Sequence, residues 1–458
     1  MRPGRWRRST HLVIGLVVLV LVVAVVAVTA VITSSQTSAR NALPARPAAV
    51  TAAPGVQPLG AATTEPTRKG LSATLAVALA DPNLGALTGR VTDGVTGAEL
   101  WEQGERIPMQ PASTNKVLTT AAALLTLDRD ATLTTRVLAG NRPGVVVLHG
   151  GGDPTLSAFE PGKRTWYRGA ARISDLAEQV RSTGTRVTAV QVDLGEYSGP
   201  TMAVGWDPLD IDGGDIAPIE SVMIDGGRTQ PTTFDSRRSR TPGLDAGRAL
   251  AAALGVDPAT VTVGSAAADA EELAAVESPP LIERLRQMMN DSDNVMAESI
   301  GREVAAALNR PQSFDGAVQA VLGQLRGAGI DTANATLLDS SGLSVDNRLT
   351  ALTLDGVIAA AVGEDHPRLR PLVDLLPVAG GSGTLSNRYL DTEEGRASAG
   401  WLRAKTGSLT GTNTLAGIVT DASGRVLTFA LISNNAGPTG RTSLDALAAK
   451  LRSCGCGG

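Results

Sequence analysis

The segment Pro111-Ala-Ser-Thr-Asn-Lys116 precedes the apolar run Val117-Leu-Thr-Thr-Ala-Ala-Ala-Leu-Leu125. The run predicts a helix that begins at or just after Pro111. Because residues i and i+3 share one face of a helix, the amine of Lys116 can reach the hydroxyl of Ser113. A serine hydroxyl is a weak nucleophile at neutral pH, and an amine whose pKa is lowered by burial can act as its base. Ser113 and Lys116 are therefore a candidate nucleophile and base, although the pattern also fits a serine helix cap beside a solvated lysine.

Two further short motifs follow Ser113 along the chain. Ser292-Asp-Asn294 falls in a break within the helical pattern of residues 280–307, and Lys405-Thr-Gly-Ser408 begins the strand pattern of residues 406–420. The motifs S-x-x-K, S-D-N and K-T-G are the set found in penicillin-binding proteins and class A β-lactamases. Each motif is weak alone, but the three in this order and in these contexts indicate a serine acyl-transfer site.

Four longer blocks make the relationship more specific. They are Gly150-Gly-Gly-Asp-Pro-Thr-Leu156, Met289-Asn-Asp-Ser-Asp-Asn-Val-Met-Ala-Glu-Ser299, Leu338-Asp-Ser-Ser-Gly-Leu-Ser-Val-Asp-Asn-Arg348 and Leu376-Pro-Val-Ala-Gly-Gly-Ser-Gly-Thr-Leu385. With these blocks, residues 70–452 resemble the D-alanyl-D-alanine carboxypeptidase/endopeptidases of the low-molecular-mass class C penicillin-binding proteins. The resemblance implies an α/β (α+β) fold of the penicillin-recognising, β-lactamase-like type, with an antiparallel sheet flanked by helices and an inserted smaller domain that splits it.

The chain pattern also predicts how the protein is organised outside this region. Residues 12–32 form an uncharged run of 21 residues that follows four arginines, which favours a transmembrane anchor with a cytoplasmic N-terminus. We favour an uncleaved anchor, because the apolar part of a signal peptide is usually shorter. The catalytic part would then face the cell envelope. The predicted segments are a basic cytoplasmic segment (1–11), the anchor (12–32), a disordered Ala/Pro-rich stalk (33–70), the catalytic domain (71–134 and 271–452), an inserted domain (135–270) and a tail (453–458).

Within the insertion, three segments have strand patterns, namely 187–193, 221–225 and 261–263. The two cysteines, Cys454 and Cys456, lie in the terminal Cys-Gly-Cys-Gly-Gly. A bridge between cysteines one residue apart would be strained, so we expect an exposed tail that pairs between chains or has no function, and we leave these cysteines without a role.

The resemblance implies a role for each motif residue at the reacting bond. Ser113 attacks the carbonyl of the penultimate D-Ala of a peptidoglycan stem pentapeptide, with Lys116 as base. Ser292 relays a proton to the departing D-Ala, and Asn294 orients Lys116 and binds a substrate carbonyl. We do not count Asp293 as a site residue.

The K-T-G segment is expected to bind the free carboxylate of the substrate. Lys405 supplies positive charge, and the hydroxyls of Thr406 and Ser408 bond the carboxylate. Gly407 allows the strand to approach the substrate closely, where a side chain would collide. By resemblance, the oxyanion hole is the backbone N–H of Ser113 together with that of Ser408.

The other end of the substrate is harder to assign from the sequence. In the family, an acidic residue after a tryptophan helps to bind the free amine of the stem peptide, and Gly205-Trp-Asp-Pro-Leu-Asp210 resembles that segment. Trp206 and Asp210 are the first candidates and Asp207 the second, although these aspartates also fit turn residues. The aromatic residues that the family often places before Ala-Pro are absent from residues 212–218.

These residues predict a serine-type D-Ala-D-Ala carboxypeptidase, a hydrolase that forms an acyl-enzyme and is blocked covalently by β-lactams. Whether it also cuts cross-links stays open. The alternatives are a catalytically silent peptidoglycan-binding protein and a β-lactamase or esterase of the same fold. No glutamate stands in the expected context to activate a deacylating water, which argues against a class A β-lactamase.

Other classes of function are excluded by missing features. The chain has three histidines and no H-E-x-x-H, which argues against a zinc peptidase, and Ser113 lacks the G-x-S-x-G context of a Ser-His-Asp hydrolase. A net charge of -4 without a basic, aromatic-rich patch argues against nucleic-acid binding. No metal or organic cofactor is implied.

Overall fold

The structure is a computed structural model that describes residues 19, 21–29 and 65–456. The chain divides into two units, Met1–Pro58 and Leu59–Gly458. In the first unit residues 21–29 are helical, and the rest of the predicted anchor, apart from residue 19, lies outside the described residues. Across the described ranges, no helix has the length and apolar character needed to cross a bilayer.

The second unit contains ten strands and twelve α-helices among its described residues. The strands are β1 (Ala86–Asp93), β2 (Glu99–Gln103), β3 (Thr134–Ala139), β4 (Val145–Gly150), β5 (Ala189–Asp193), β6 (Thr262–Val263), β7 (Glu272–Glu277), β8 (Leu402–Leu409), β9 (Thr412–Thr420) and β10 (Val426–Asn434). The helices are α1 (Arg68–Leu79), α2 (Lys116–Thr126), α3 (Ile173–Ser182), α4 (Leu209–Gly213), α5 (Pro242–Leu254), α6 (Leu281–Asp291), α7 (Asn294–Ala307), α8 (Phe314–Gly327), α9 (Ala351–Val362), α10 (Pro371–Leu375), α11 (Glu393–Ser398) and α12 (Gly440–Ser453).

A five-stranded antiparallel sheet forms the centre of the unit, in the order β2-β1-β10-β9-β8. Both of its faces are covered by helices, and the alternation of side chains along β10 shows how. Phe429 and Leu431 pack with Leu71 of α1 and Leu444 of α12. Ala430 and Ile432, on the opposite face, belong to a larger helical core that is built from α2, α6, α7, α8 and α9. The predicted antiparallel sheet flanked by helices is confirmed.

A second five-stranded sheet comes entirely from residues 134–277, in the order β6-β5-β4-β3-β7. Its strands β4, β5 and β6 are parallel to one another, whereas β3 is antiparallel to both of its neighbours. The sheet packs against α3 and α5 through a core of its own that includes Leu148, Val180 and Leu250. The assignment of residues 135–270 to an inserted domain stays a prediction.

One predicted strand of this region, residues 221–225, is wrong. The segment crosses the end of β4, where the N–H of Gly152 donates to the carbonyl of Ser221 at 2.8 Å. Its apolar residues are buried by this crossing, not by strand pairing. It then enters a short 3₁₀ turn, Asp225–Gly227, in which all three residues have positive φ. Such backbone angles are incompatible with an extended strand.

The expectation of an exposed C-terminal tail is also wrong. Cys454 is buried and is joined by a disulfide to Cys456. The carbonyl of Cys456 accepts a hydrogen bond from the backbone N–H of Thr67 at 3.0 Å. Gly70 lies so close that a Cβ there would be 2.7 Å from the same carbonyl oxygen. The tail is therefore packed against the start of α1.

Candidate active site

Ser113 and Lys116 lie where a 3₁₀ turn, Ala112–Asn115, passes into α2. Lys116 is fully buried, and its Nζ lies 3.0 Å from Ser113 Oγ. The amine also donates to Asn294 Oδ1 at 2.6 Å and to the carbonyl oxygen of Ser341 at 2.8 Å. Burial lowers the pKa of Lys116 to about 8, against the opposing influence of nearby carboxylates. A usable fraction of the amine is therefore neutral near pH 7.

The S-D-N motif forms the sharp joint between α6 and α7. Ser292 ends α6 with a left-handed φ of 58°, and Asn294 is the first residue of α7. A non-glycine residue in this region is strained, and such strain is concentrated at functional sites. The joint directs the Ser292 hydroxyl to Lys405, whose Nζ donates to it at 2.9 Å. Nδ2 of Asn294 donates to the carbonyl of Asp215 at 2.9 Å, which leaves its oxygen for Lys116.

Asp293 belongs to the scaffold behind the site. Its carboxylate caps α7 by accepting the N–H of Met296 at 3.0 Å, and it accepts the hydroxyl of Tyr167 at 2.7 Å. Although burial opposes it, the positive charges of Arg228 and Arg238 lower the pKa of Asp293 to about 2. This charged cluster ties residues of the second-sheet region to the S-D-N joint.

The K-T-G motif lies on β8, at the edge of the main sheet. A Cβ placed on Gly407 would lie 2.9 Å from the backbone nitrogen of Ser113, so glycine permits the close approach of β8 to Ser113. Lys405 is fully buried, and its Nζ donates to Ser292 Oγ and, at 2.8 Å, to the carbonyl of Thr406. Burial and the neighbouring cations Lys116 and Arg388 hold the pKa of Lys405 well below its ordinary value.

The loop of residues 338–348 completes the surroundings of Lys116. Asp339 organises it by accepting the backbone N–H groups of Gly342 and Ser344 at 2.8 and 2.6 Å. Asp339 also accepts the indole N–H of Trp206 at 2.8 Å. The loop was recognisable only as a family block, because the contact of the Ser341 carbonyl with Lys116 is made by backbone and has no side-chain signal.

The predicted residues surround one cleft with a volume of about 1660 Å³. Of the predicted site residues it is lined by Ser113, Trp206, Asp210, Ser292, Asn294, Thr406 and Ser408. Lys116, Lys405 and Gly407 are not part of its wall. The two lysines contact hydroxyls of residues that do line the cleft, Ser113 for Lys116 and Ser292 for Lys405.

Asp207, Asp210 and Asp215 all line the cleft and form an acidic wall, in which the charges of Asp207 and Asp215 act on Asp210. Burial, together with the charges of Asp215 and Asp207, raises the pKa of Asp210. Trp206 lines the cleft but is buried, and its indole N–H is engaged by Asp339 and so is not free to donate to a ligand. Phe234 also lines the cleft and is exposed. Sequence reasoning missed Phe234, because aromatic residues were sought only before Ala217-Pro218. It also missed Asp215, because that segment was inspected for aromatic residues and not for acidic ones.

The cleft is also lined by Arg388, Tyr389 and Asp445, which lie outside the three motifs. Arg388 and Asp445 form a paired salt bridge with contacts of 2.9 and 2.5 Å. Tyr389 has a left-handed φ of 67°, as Ser292 does in the motif itself. In the described part of the chain, no group of three or more acidic, histidine or cysteine residues could hold a metal ion.

An S-x-x-K pair with a buried lysine, an S-D-N joint and an edge K-T-G strand around one cleft define a penicillin-recognising serine enzyme. A family model described as the D-Ala-D-Ala carboxypeptidase 3 (S13) family matches residues 71–237 and 232–451. The chain belongs to this family. The predicted activity, that of a serine-type D-Ala-D-Ala carboxypeptidase, is thereby confirmed, and so is the family resemblance. A second model, the N-terminal domain of Carboxypeptidase Rv3627c-like proteins, matches residues 1–58.

Individual proteins agree with the family assignment. The chain is 72% identical to Carboxypeptidase DacB of Mycolicibacterium smegmatis and 62% identical to Carboxypeptidase Rv3627c of Mycobacterium tuberculosis, in both cases over 100% of either chain. Among solved structures, penicillin binding protein 4 (dacB) of Haemophilus influenzae superposes with a TM-score of 0.67 at 22% identity. That match covers 84% of this chain and 98% of the other, and it confirms the fold.

Proposed function

We propose that Ser113 is the nucleophile of this carboxypeptidase and that neutral Lys116 is its base. The observation that carries the proposal is the set of contacts around Lys116 Nζ. A neutral amine has two N–H groups and one lone pair. Asn294 Oδ1 and the Ser341 carbonyl can accept the two N–H groups, so the lone pair is left for the hydroxyl of Ser113 at 3.0 Å.

The reaction then proceeds in two balanced steps. Ser113 Oγ forms a bond to the carbonyl carbon of the penultimate D-Ala while its proton passes to Lys116, and the C–N bond to the terminal D-Ala breaks. The proton that Lys116 accepted passes through Ser292, whose hydroxyl is hydrogen-bonded to Lys405, to the departing amine, and Lys116 is neutral again. Water then forms a bond to the ester carbonyl carbon while Lys116 takes its proton. The bond from that carbon to Ser113 Oγ breaks, Oγ takes the proton from Lys116, and the shortened stem peptide leaves.

The two ends of the substrate are bound by opposite charges. The terminal carboxylate lies against the hydroxyls of Thr406 and Ser408, with Lys405 behind them. At the acidic wall, Asp210 binds the free amine of the stem peptide, with Asp207 as the second candidate. Trp206 lines the cleft together with these aspartates.

The same geometry makes β-lactams covalent inhibitors, because the lactam carbonyl takes the place of the penultimate D-Ala carbonyl. Penicillin binding protein 4 of Haemophilus influenzae has been solved in complex with a β-lactam, and its structure superposes on this chain with a TM-score of 0.61 at 22% identity. Intact-mass spectrometry of the chain from residue 62 onward, with and without benzylpenicillin, tests the proposal. We expect one persistent penicilloyl adduct, and none in Ser113→Ala.

The assay of D-Ala release from a stem pentapeptide provides the second readout. Ser113→Ala should release none, whereas Ser423→Ala, a substitution on the turn between β9 and β10, should leave the release unchanged. If the native protein binds peptidoglycan but forms no adduct and releases no D-Ala, the proposal is replaced by that of a silent wall-binding protein.

We propose, in addition, that the enzyme cuts cross-linked stem peptides as a DD-endopeptidase. The extension of the cleft to Arg388, Tyr389 and Asp445 supports this, because a leaving group larger than D-Ala needs such room. Purified cross-linked dimers should yield monomers in the presence of the native protein. Dimers that stay intact while pentapeptides are trimmed would contradict it.

We also propose that residues 12–32 anchor the protein in the cell membrane, with the catalytic unit on the extracytoplasmic side. The uncharged run of 21 residues behind four arginines supports this orientation. Protease added outside spheroplasts should digest the catalytic unit, and a chain that begins at residue 62 should leave the membrane fraction. Protection from external protease would contradict the orientation.

A further inference from the structure

Glu298 is a fully buried carboxylate one turn after Asn294 on α7. Its Oε1 accepts the backbone N–H groups of Ser340 and Ser341 at 3.0 and 2.8 Å. Its Oε2 lies 3.4 Å from Nη1 of Arg302, which is itself buried. The mechanism above gives Glu298 no role, although burying a charge is costly unless it is paired.

The two residues that Glu298 holds are also bound from the side of α2. The carbonyl of Ser341 accepts a hydrogen bond from Lys116 Nζ at 2.8 Å, and the carbonyl of Ser340 accepts one from the hydroxyl of Thr119 at 2.6 Å. Glu298 fixes the N–H groups of Ser340 and Ser341, and the carbonyls of these two residues face Lys116 and α2. Helix α7 therefore positions both acceptors of Lys116 other than the Ser113 hydroxyl. It provides Asn294 directly, and its Glu298 holds the Ser341 carbonyl in place.

We propose that Glu298 is a positioning residue for acylation, because it holds the Ser341 carbonyl where it occupies one proton of Lys116 and leaves the lone pair of the amine for Ser113. Without this contact the amine can rotate and turn its lone pair away from the hydroxyl. The inference rests on the assignment of Lys116 as the base.

The charge of Glu298 contributes a second, separable effect. Burial and the charge of Asp339 raise the pKa of Glu298 to about 7, whereas Arg302 opposes this rise. Asp339, Asp293 and Glu298 are the carboxylates that raise the pKa of Lys116 against burial. From β8, the buried amine of Lys405 also interacts with Lys116, whose charge lowers the pKa of Lys405. Loss of the charge of Glu298 should therefore lower the pKa of Lys116.

The variant Glu298→Gln tests both effects. An amide beside Arg302 should turn its oxygen toward the guanidinium and its NH₂ toward the N–H groups of Ser340 and Ser341, which breaks both bonds. The plateau of the second-order acylation constant with benzylpenicillin should fall on the order of 10- to 100-fold, because a 1 Å misplacement of a catalytic group costs about 10²-fold. The limb on which acylation rises with pH should move to lower pH.

Glu298→Asp and Asp355→Asn are the matched comparisons. Glu298→Asp keeps the charge but shortens the reach, so its plateau should fall while its limb stays at the native pH. Asp355 is another fully buried carboxylate, on α9, which accepts the hydroxyls of Thr92 and Thr428. Its replacement by asparagine should lower the melting temperature but leave both the plateau and the limb in place.

The outcomes separate this inference from the proposed function. If the native protein forms no adduct on Ser113, the proposed function fails. If the native protein acylates, and Glu298→Gln has the native plateau, the inference alone is overturned, whether or not the limb moves. Should Glu298→Gln fail to fold, Glu298→Asp decides, and a native plateau in that variant overturns the inference.

Discussion

The pockets around the amines of Lys116 and Lys405 are both fully buried, but the groups that surround the two amines differ. Lys116 has the acceptors Asn294 Oδ1 and the Ser341 carbonyl, and the charges of Asp339, Asp293 and Glu298 lie near it. Lys405 has the hydroxyl of Ser292 and one carbonyl, and the nearby charges that act on its pKa are positive.

The difference shows how one fold tunes two identical side chains for separate tasks. Burial lowers the pKa of both amines, but carboxylates moderate the effect only at Lys116. The Lys116 pocket keeps the pKa of the amine near neutral pH, so the amine can accept and release a proton there. The Lys405 pocket disfavours a cation until an anion arrives, so a substrate carboxylate would supply the missing negative charge.

The largest effect should follow from Lys116→Met. Acylation by benzylpenicillin should fall about 10³-fold, within the range for the loss of a general base. Rapid-quench mass spectrometry measures the adduct. Lys450→Met on α12, which removes a lysine paired with Glu394 outside the catalytic motifs, should acylate at the native rate. A Lys116→Met protein that acylates within tenfold of native would show that the base is elsewhere.

The pH dependence of acylation should follow the Lys116 pocket. The base must be neutral and its pKa is about 8, so acylation should rise with pH and level off above that value. At two pH units below the pKa only about 1% of the amine is neutral, so the acylation constant should be about 100-fold below its plateau. An acidic limb centred near pH 5 would assign the base to a carboxylate instead.

Lys405→Met should abolish the preference for a free carboxylate. Hydrogen bonds to charged groups contribute about 1.5–3 kcal/mol, so kcat/KM for a pentapeptide should fall about 10- to 100-fold. The same peptide with a C-terminal amide should lose much less, since it never used the charge. Equal losses on both peptides would indicate that Lys405 serves proton transfer alone.

The smallest effect should be a gain in stability in Lys405→Met. The pKa of Lys405 is lower in the folded than in the unfolded chain, so the unfolded chain binds more protons and stability rises with pH between the two values. At pH 7 this linkage destabilises the native protein, and the variant, which has no amine to titrate, should be more stable. Thermal melts should show a higher melting temperature than native at pH 7 and a smaller difference at pH 9. A lower melting temperature at pH 7 would contradict the description of this pocket.

Sequence reasoning reached the motif side chains that line the cleft, because motif order and helical spacing constrain them. The break at Asp291-Ser-Asp-Asn294 predicted the joint between two helices, and the structure contains it. The apolar segment 221–225 misled, because its residues are buried by crossing the end of β4 and not by pairing. A hydrophobic pattern alone does not distinguish these two environments.

What could not be predicted depends on contacts between distant parts of the chain. The Ser341 carbonyl meets Lys116 across 225 residues, and a backbone acceptor is present at every position, so no residue type marks it. Glu298 was visible only as one more residue in a family block. Phe234 reaches the cleft from a loop whose sequence carries no periodic pattern.

The contact between Thr67 and Cys456 brings both ends of the described catalytic unit to one place, with 3.0 Å between the bonded backbone atoms. A unit whose ends adjoin can be inserted into a loop of another protein, or circularly permuted, with a short linker and little disturbance. The described catalytic unit can therefore be transferred to another protein as one piece. New ends could be opened at a surface turn such as that between β9 and β10, away from the catalytic motifs, to display the cleft on a carrier of choice.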